Sequence, residues 1–298
     1  MGQITRKAYA KINLGLDVLG RRENGYHDVR MIMQTVGIHD KLTFTERPDG
    51  EIRITVRLSD GQTEELACDE HNLVYKAAKL LMQERGLTQG VDVELEKNIP
   101  IAAGMAGGST DAAATLLGLN ELYGLQMSKE QLCALGVRIG ADVPYCIVGG
   151  TVLAEGIGEI LTSVEAAPQC RLLVVKPSVS VSTAFVYTHL DELKEYPHPD
   201  IDALMESIRK QDVAGMAKQL GNVLETVTVP AYPVIQEIKD EMLACGALGA
   251  LMSGSGPTVF GIFETEEQLQ TAYGKLAAKE GVSQIFMTGL VADIEAEE

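Results

Sequence analysis

Fifteen consecutive residues, from Pro100 to Ala114, constrain this chain more than any other segment. They read PIAAGMAGGSTDAAA, a run of mostly small side chains. Small residues let a backbone approach a ligand closely, and residues 109–123 have the pattern of a helix. The free N–H groups at the start of such a helix, together with its positive dipole end, form an anion site. The run therefore predicts a phosphate-binding loop.

Two hydroxyl side chains open the predicted helix. Ser109 and Thr110 can reach phosphate or a phosphate-bound Mg²⁺. Glycine also marks any tight helix entry, so a helix start without a ligand is the alternative interpretation. The run is not a Walker A loop, which requires GxxxxGK[ST], and the chain lacks the HRD and DFG signatures of protein kinases.

The segments around the loop have the periodicity of short strands. Residues 10–18 alternate between apolar and polar side chains, with Lys11 and Asn13 on the polar face, which indicates a half-buried strand. A Pro48-Asp49-Gly50 turn signature joins the next two predicted strands. The further strands are predicted over residues 41–45, 51–58, 91–95, 146–154, 171–175 and both arms of 250–263.

Helices are interspersed with these strands. The first, over residues 69–85, has Asp69 as its predicted N-cap and stops at Gly86. Capping boxes begin two others, at Ser128 and at Thr265. The remaining helices are predicted over residues 109–123, 128–140, 232–245, 265–281 and most of 179–228. The mixture is typical of an α+β protein of two lobes, and we expect an N-terminal lobe over residues 1–165 and a C-terminal lobe over residues 166–298.

Composition excludes several classes of function. The net charge of −17 argues against nucleic acid and against an anionic membrane surface as partners, because both require a basic footprint. No run approaches the about 18 apolar residues of a membrane span, and the N-terminus lacks a signal peptide. The five cysteines are scattered without a CxxC pair, and the histidines lack metal-site spacing. We therefore expect a cytoplasmic protein with reduced thiols.

The run of small residues closely resembles the central P-x-x-x-G-L-G-G-G-S-S-x-A-A motif of the GHMP kinases, a family that includes galactokinase, homoserine kinase and mevalonate kinase. Two more blocks are similar to family motifs in the family's order: AKINLGL at residues 10–16 and SGSGPTVF at residues 253–260. Gly25-Tyr26-His27 and the GADVP of residues 140–144 match one branch, whose substrate is a cytidine-diphosphate sugar alcohol. The resemblance covers nearly the whole chain.

Three positions depart from the family pattern. Tyr9 stands where the family usually has Pro, Ala106 replaces a loop glycine and Thr110 replaces the second serine. Alanine is nearly as small as glycine and threonine keeps a hydroxyl, so we expect phosphate binding to survive. Tyr9 affects only the entry into the strand that carries Lys11.

The resemblance implies the two-lobed GHMP fold, with the active site in the cleft between the lobes. It implies an ATP-dependent and Mg²⁺-dependent kinase of a small molecule. Asp142 would lie beside the acceptor hydroxyl as base or orienting group, and Lys11 would pair with Asp142 and with the transferring phosphoryl group. Without the family, a solvated strand lysine and a turn-forming aspartate are the ordinary interpretations of these two residues.

The same resemblance assigns binding roles. Phosphate would lie on the loop, at Pro100, Gly104, Ala106, Gly107, Gly108, Ser109 and Thr110, with Ser109 also a candidate Mg²⁺ ligand. Tyr26 would stack on the cytosine, His27 would hydrogen-bond its edge, and Tyr187 would close the sandwich. Asn13 and Thr183 complete the substrate candidates. Asn72 and Lys97 are candidates for adenine or ribose, although a helix cap and a strand-end lysine explain them equally well.

Three alternatives remain at this point. Another GHMP kinase, such as a mevalonate or homoserine kinase, would give Tyr26 and His27 no partner, because its substrate has no base. A catalytically silent nucleotide sensor would be expected to have lost Lys11 or Asp142, and both are present. A serine hydrolase is disfavoured because Ser253-Gly254-Ser255-Gly256 is not GxSxG.

Overall fold

Two long antiparallel strands form the centre of the protein. The computed structural model describes residues 2–59 and 66–296. Strand β1 (Gln3–Arg21) pairs with β2 (His27–Arg47) along nearly their whole length, with shifts in register at three points of β1. The strand predicted over residues 10–18 is confirmed and extends further at both ends beside its long partner. It is not half-buried as predicted, because residues 8–18 are buried on both faces, including Lys11 and Asn13.

The first sheet grows from this pair on both sides. Strand β3 (Ile52–Leu58) runs parallel to β4 (Gly90–Lys97), which in turn pairs antiparallel with β2. The turn predicted at Pro48-Asp49-Gly50 is present, but β4 lies between the two strands that the turn joins. The crossover from β3 to β4 is helical, as a parallel pair requires.

Helix α1 (Leu73–Arg85) provides this crossover and begins later than predicted. Asn72 is its N-cap, and its side chain accepts a hydrogen bond from the N–H of Val74. The prediction of Asp69 as N-cap is wrong, because that carboxylate accepts from the N–H of His71 in the preceding turn. Gly86 ends the helix in a left-handed conformation, as predicted.

Two helices then cover the sheet. Helix α2 (Gly107–Leu122) follows the run of small residues, and its buried alanines pack among the apolar side chains of the sheet. Helix α3 (Lys129–Val137) begins with the predicted capping box of Ser128 and Gln131.

The strand predicted over residues 146–154 is wrong in its first half. Helix α4 (Val143–Val148) occupies that part, and strands β5 (Thr151–Gly156) and β6 (Ile160–Ser163) follow. The apolar run is buried in either conformation, so its pattern does not distinguish strand from helix. Pro144 in the first turn favours the helix, and Gly149 and Gly150, both with positive φ, end it.

The second half of the chain builds a four-stranded sheet with helices around it. Its strands lie in the order β11-β7-β10-β9. The capping box predicted at Thr265 begins the last helix. The elements are β7 (Arg171–Pro177), α5 (Thr183–Asp191), α6 (Ile201–Arg209), α7 (Val213–Lys218), β8 (Gly221–Asn222), α8 (Glu225–Ala231), α9 (Val234–Ala244), β9 (Gly249–Met252), β10 (Val259–Phe263), α10 (Glu266–Ala277) and β11 (Val282–Gly289).

The two halves of the chain contribute to one sheet and to one hydrophobic core. Strand β8 pairs parallel with β1 through Gly15 and Leu16, so a segment from the second half completes the first sheet. The main hydrophobic core contains side chains from both halves, including Leu16, Val227 and Ile235. Helices and mostly antiparallel strands make this an α+β fold, as predicted. Across residues 2–59 and 66–296, no helix is long and apolar enough to cross a membrane.

Candidate active site

A cleft of about 730 Å³ is lined by residues from both halves of the chain. Its wall includes the start of α2, the polar face of β1, Asp142, one face of α5 and residues 254–256. Most of the predicted site residues line this cleft. They are Lys11, Asn13, Tyr26, His27, Gly104, Ala106, Gly107, Gly108, Ser109, Asp142, Thr183 and Tyr187.

The start of α2 forms the phosphate-binding part of the wall. The first backbone bond of the helix runs from the N–H of Thr110 to the carbonyl of Ala106, at 2.9 Å. The N–H groups of Gly107, Gly108 and Ser109 therefore precede the helical ladder and are available to an anion. Ala106, the N-cap, has a φ of 57°. Alanine occupies a left-handed conformation here that glycine adopts more readily.

Gly104 lies where the loop meets the third glycine segment. Its φ is 73°, and a Cβ there would lie 2.3 Å from the carbonyl oxygen of Ser253. The Ser253 hydroxyl donates to the Gly104 carbonyl at 3.0 Å. A Cβ on Gly254, which also has positive φ, would lie 3.1 Å from the Gly104 carbonyl oxygen. Only a residue without a side chain fits both the conformation and the space at Gly104.

Lys11 lies on the polar face of β1, with 6% of its surface exposed. Its N–H donates to the carbonyl of Met105 at 3.2 Å, which fixes β1 against the phosphate loop. Its ammonium donates to Oδ1 of Asn13 at 2.8 Å. The Asn13 amide in turn contacts the sulfur of Met31 at 3.2 Å.

Asp142 stands immediately before α4, but its side chain makes no capping hydrogen bond. In the described parts of the chain, no ion pair within 4.0 Å joins it to Lys11, so the expected direct pairing of the two is not observed. Both residues line the same cleft, and the charges of both affect the pKa of the buried Cys146 thiol. Burial raises the pKa of that thiol, the Asp142 charge raises it further, and the Lys11 charge lowers it.

Another part of the cleft wall carries aromatic side chains. The ring of His27 lies against that of Tyr187, with centroids 4.7 Å apart and planes inclined by 37°. Burial, and secondarily the charge of Asp142, raises the pKa of Tyr187 to about 12. Tyr26 is 58% exposed at the rim. An exposed aromatic that adjoins a partly buried ring pair in the chain is suited to stacking on a planar ligand.

Two residues of the cleft wall were missed by the sequence analysis. Asp191 accepts from Nε2 of His27 at 2.7 Å and pairs with Arg21 at 3.3 Å. A usable signal was present, since Thr183, Tyr187 and Asp191 follow one another at intervals of four on α5 and so share a face. Ser255 was also missed as a site residue, and its hydroxyl lies 2.9 Å from that of Thr183.

Four predicted phosphate or nucleotide residues do not line the cleft. Pro100 precedes the part of the loop that does. The Thr110 hydroxyl is buried and donates to the carbonyl of Tyr9 at 2.6 Å, so it is directed at β1. Asn72 uses its oxygen to cap α1 and its amide to bond Ala67, which agrees with the cap interpretation.

Lys97 is the fourth of these residues, and it lies 3% exposed beneath the loop. Its ammonium pairs with the carboxylates of Asp40 and Asp111, both buried. A Cβ on Gly107 would lie 3.0 Å from that ammonium. Lys97 therefore supports the start of α2 from inside the protein.

Residues 72–150 match the model of the GHMP kinases N terminal domain, and residues 204–282 match that of the GHMP kinases C terminal domain. A 4-diphosphocytidyl-2-C-methyl-D-erythritol kinase from Lachnospira eligens is 52% identical over 97% of this chain and 98% of its own. The protein of the same name from Lachnoclostridium phytofermentans is 50% identical over 97% of each chain.

Solved structures are similar over the same extent. A crystal structure of 4-(cytidine 5'-diphospho)-2C-methyl-D-erythritol kinase has a TM-score of 0.81 and 32% identity, and the match covers 97% of this chain and all of that one. Homoserine kinase from Cytophaga hutchinsonii has a TM-score of 0.79 at 20% identity, which shows a common fold. At this identity and coverage, the chain belongs to the GHMP kinases, in the family of the 4-diphosphocytidyl-2-C-methyl-D-erythritol kinases.

Proposed function

We propose that the protein transfers the γ-phosphoryl group of ATP to the 2-hydroxyl of 4-diphosphocytidyl-2-C-methyl-D-erythritol, a step of non-mevalonate isoprenoid precursor synthesis. One observation carries the proposal: a helix N-terminus suited to phosphate and an aromatic group suited to a nucleobase line the same cleft, with Lys11 and Asp142 also on its wall. The names of the relatives at 52% and 50% identity support this substrate.

The phosphates of ATP would lie at the start of α2. The free N–H groups of Gly107, Gly108 and Ser109 provide donors, and the dipole of a 16-residue helix favours the negative charge. Lys11 is the ammonium on the cleft wall that can contact the transferring group. Backbone amides and one placed cation make phosphate binding compatible with a net charge of −17.

The cytosine would lie between Tyr26 and Tyr187, with His27 at its edge. Tyr187 is packed against His27, while Tyr26 is exposed and free to close over a ligand. Stacking of a base on an aromatic ring stabilises binding by about 1–3 kcal/mol. Mevalonate and homoserine offer no group for this part of the cleft, which favours the cytidyl substrate over the other GHMP kinase substrates.

Asp142 would accept the hydrogen bond of the acceptor hydroxyl. In the reaction, the acceptor oxygen forms a bond to the γ-phosphorus, the bond from that phosphorus to the bridging oxygen of ADP breaks, and the hydroxyl proton passes to the carboxylate. In-line orientation and charge neutralisation account for most of the catalysis in such a transfer. The carboxylate is unused by the helix cap and thus available for this role.

Mg²⁺ would arrive with the nucleotide. Among the described residues, no group of three or more His, Cys, Asp or Glu side chains could hold a metal ion. Mg²⁺ keeps several waters and is commonly bound by substrate phosphates with one or two protein oxygens, which the Ser109 hydroxyl fits. When bound, the metal would neutralise phosphate charge. The five cysteines, free of disulfides, support the reducing cytoplasm as the place of action.

The test is coupled ADP release from purified protein with ATP and Mg²⁺, with the cytidyl compound, mevalonate and homoserine offered in parallel. Turnover of the cytidyl compound alone is the expected result. Turnover of mevalonate or homoserine instead would overturn the proposed substrate while leaving the phosphate loop in place. Nucleotide binding without turnover of any of the three would identify a sensor.

A further inference from the structure

His27 is held by a carboxylate that belongs to the other half of the chain. Its Nε2 lies 2.7 Å from Oδ1 of Asp191, and the second carboxylate oxygen lies 3.3 Å from Nη1 of Arg21. The His27 side chain is 10% exposed and that of Asp191 26%. Tyr187, one turn before Asp191 on α5, packs against the imidazole face. The ring is thus fixed at one nitrogen and on one face.

We propose that Asp191 is a positioning residue that fixes the tautomer of His27 and thereby makes the site select cytosine over uracil. The inference rests on the proposed function, because it concerns how the same site distinguishes its substrate's base.

The tautomer follows from the inventory of donors and acceptors. An ionised carboxylate only accepts hydrogen bonds, so Nε2 of His27 carries the hydrogen in the contact with Asp191. In a neutral imidazole the other nitrogen, Nδ1, is then an acceptor. Within residues 2–59 and 66–296, Nδ1 has no hydrogen-bond partner, and the residue lines the cleft. A neutral His27 therefore presents an acceptor to a ligand.

The two pyrimidines differ in what they offer to that acceptor. Cytosine has an exocyclic amine, a donor, at the position where uracil has a carbonyl oxygen, an acceptor. An acceptor at Nδ1 binds the amine of cytosine, whereas the carbonyl oxygen of uracil would face a second lone pair at the same place. The reversed tautomer, or a doubly protonated ring, would present a donor and favour uracil. The base preference of the enzyme consequently reports the hydrogen position on His27.

Asp191→Asn is the decisive variant, because Arg21 determines how the new amide is oriented. The guanidinium only donates, so the amide oxygen faces Arg21 and the NH₂ faces His27. The amide then donates to Nε2, which moves the ring hydrogen to Nδ1. Asp191→Ala removes the constraint without imposing the opposite one. Asp202→Asn is the matched control, since Asp202 is also paired with an arginine, Arg30, but lies outside the cleft.

The measurement is kcat/KM for cytidyl-diphospho-methylerythritol and for its uridyl analogue, with each variant first shown to be folded by circular dichroism. We expect the wild type to prefer the cytidyl substrate by about a hundredfold. Asp191→Asn should reduce this ratio at least about tenfold, with a gain on the uridyl analogue, and Asp191→Ala should give an intermediate ratio. An equal loss on both substrates, or a wild-type preference for uridyl, would overturn the proposal.

A second readout is independent of turnover. ¹⁵N NMR of labelled full-length protein distinguishes the two neutral tautomers of His27, with His27→Gln to assign the signals. The hydrogen should be on Nε2 in the wild type and on Nδ1 in Asp191→Asn. The Nδ1–H form in the wild type would contradict the proposed role of Asp191 even if the cytidyl compound is phosphorylated. If no substrate is turned over, the proposed function fails, and the NMR result still decides the position of the hydrogen.

Discussion

The hydroxyl of Ser253 donates to the carbonyl of Gly104 at 3.0 Å, although 149 positions separate the two residues. This bond joins the third glycine segment to the phosphate loop. The N–H of Lys11 bonds the same loop at Met105. Two segments that are remote in the chain therefore bond adjacent carbonyl groups of the loop, and the shape of the loop depends on both.

Gly104→Ala should destabilise the protein far more than the small size of the added methyl group suggests. The new Cβ would lie 2.3 Å from the Ser253 carbonyl, which neither backbone can relieve without moving the loop. Gly124→Ala is the control, because Gly124 also has positive φ but nothing within 4 Å of a Cβ. We expect Gly124→Ala to cost about 1 kcal/mol and Gly104→Ala at least about 2 kcal/mol more. Urea denaturation measures both, and equal costs would contradict the contact.

Asp142→Asn should remove turnover while leaving stability unchanged. The carboxylate makes no capping bond, so the amide replaces it without breaking a contact of the fold. The loss of proton acceptance should reduce kcat by about 10²- to 10⁴-fold. Asp240→Asn, an exposed carboxylate that accepts from Gln236, serves as control and should retain full activity. A folded Asp142→Asn enzyme at the wild-type rate would show that this carboxylate has no catalytic role.

Tyr26→Ala should weaken binding of the cytidyl substrate without affecting the fold. Tyr26 is 58% exposed, so its ring contributes little to the core. Loss of one base-stacking contact should raise KM about 5- to 150-fold, which corresponds to about 1–3 kcal/mol, with KM for ATP unchanged. Leu19→Ala is a matched control, since Leu19 has the same exposed fraction and does not line the cleft. Similar effects of both substitutions on KM would argue against stacking.

Asp111→Asn should change how stability depends on pH. Burial raises the pKa of Asp111 well above its usual range, Lys97 opposes the shift and Asp40 adds to it. Asp40 accepts from the N–H groups of Asn98 and Ile99, whereas Oδ1 of Asp111 has no partner among the described residues. Two buried carboxyl groups share one ammonium, and Asp111 accepts fewer hydrogen bonds than Asp40.

The sign of the effect follows from proton linkage. A carboxyl group whose pKa is raised on folding holds its proton more tightly in the native state, so its contribution is most favourable at low pH and declines as pH rises above about 4. The wild type should therefore lose stability relative to Asp111→Asn between pH 4 and its folded-state pKa. Urea denaturation of both proteins across that range checks this. A relative gain with pH would show instead that Lys97 dominates and lowers the pKa.

Local patterns in the sequence were sufficient for the strands and helices with clear periods. The strand predicted over residues 10–18 and both capping boxes are confirmed, because they depend on neighbours in the chain. The start of the strand predicted over residues 146–154 is wrong, because residues 146–148 belong to α4 and a buried apolar run carries no periodic signal that separates strand from helix. The insertion of β4 beside β2 has no local signature, because strand order depends on contacts between distant segments.

The candidate site likewise contains residues that local patterns predict and contacts that they do not. Its motif-bearing residues, such as Lys11 and Gly107, could be predicted because each segment carries its own pattern. The spacing of four places Asp191 on the same face of α5 as Tyr187, but its contact with His27 has no local signal, because the contact spans 164 positions and depends on how α5 packs. Thr110 also has its own pattern, but its hydroxyl donates to the backbone carbonyl of Tyr9, a contact that no local pattern shows.

Strand β8 contains only two residues, yet it determines how this enzyme could be recombined with its relatives. It lies along Gly15 and Leu16, and a Cβ on Gly15 would lie within 3 Å of side-chain atoms of Leu204 and Ile201 on α6. A chimaera with a crossover near residue 165 would take these contacting surfaces from different parents. Such hybrids should assemble only when the donor of the second half also preserves the shape opposite Gly15, so parental compatibility would be decided at this contact.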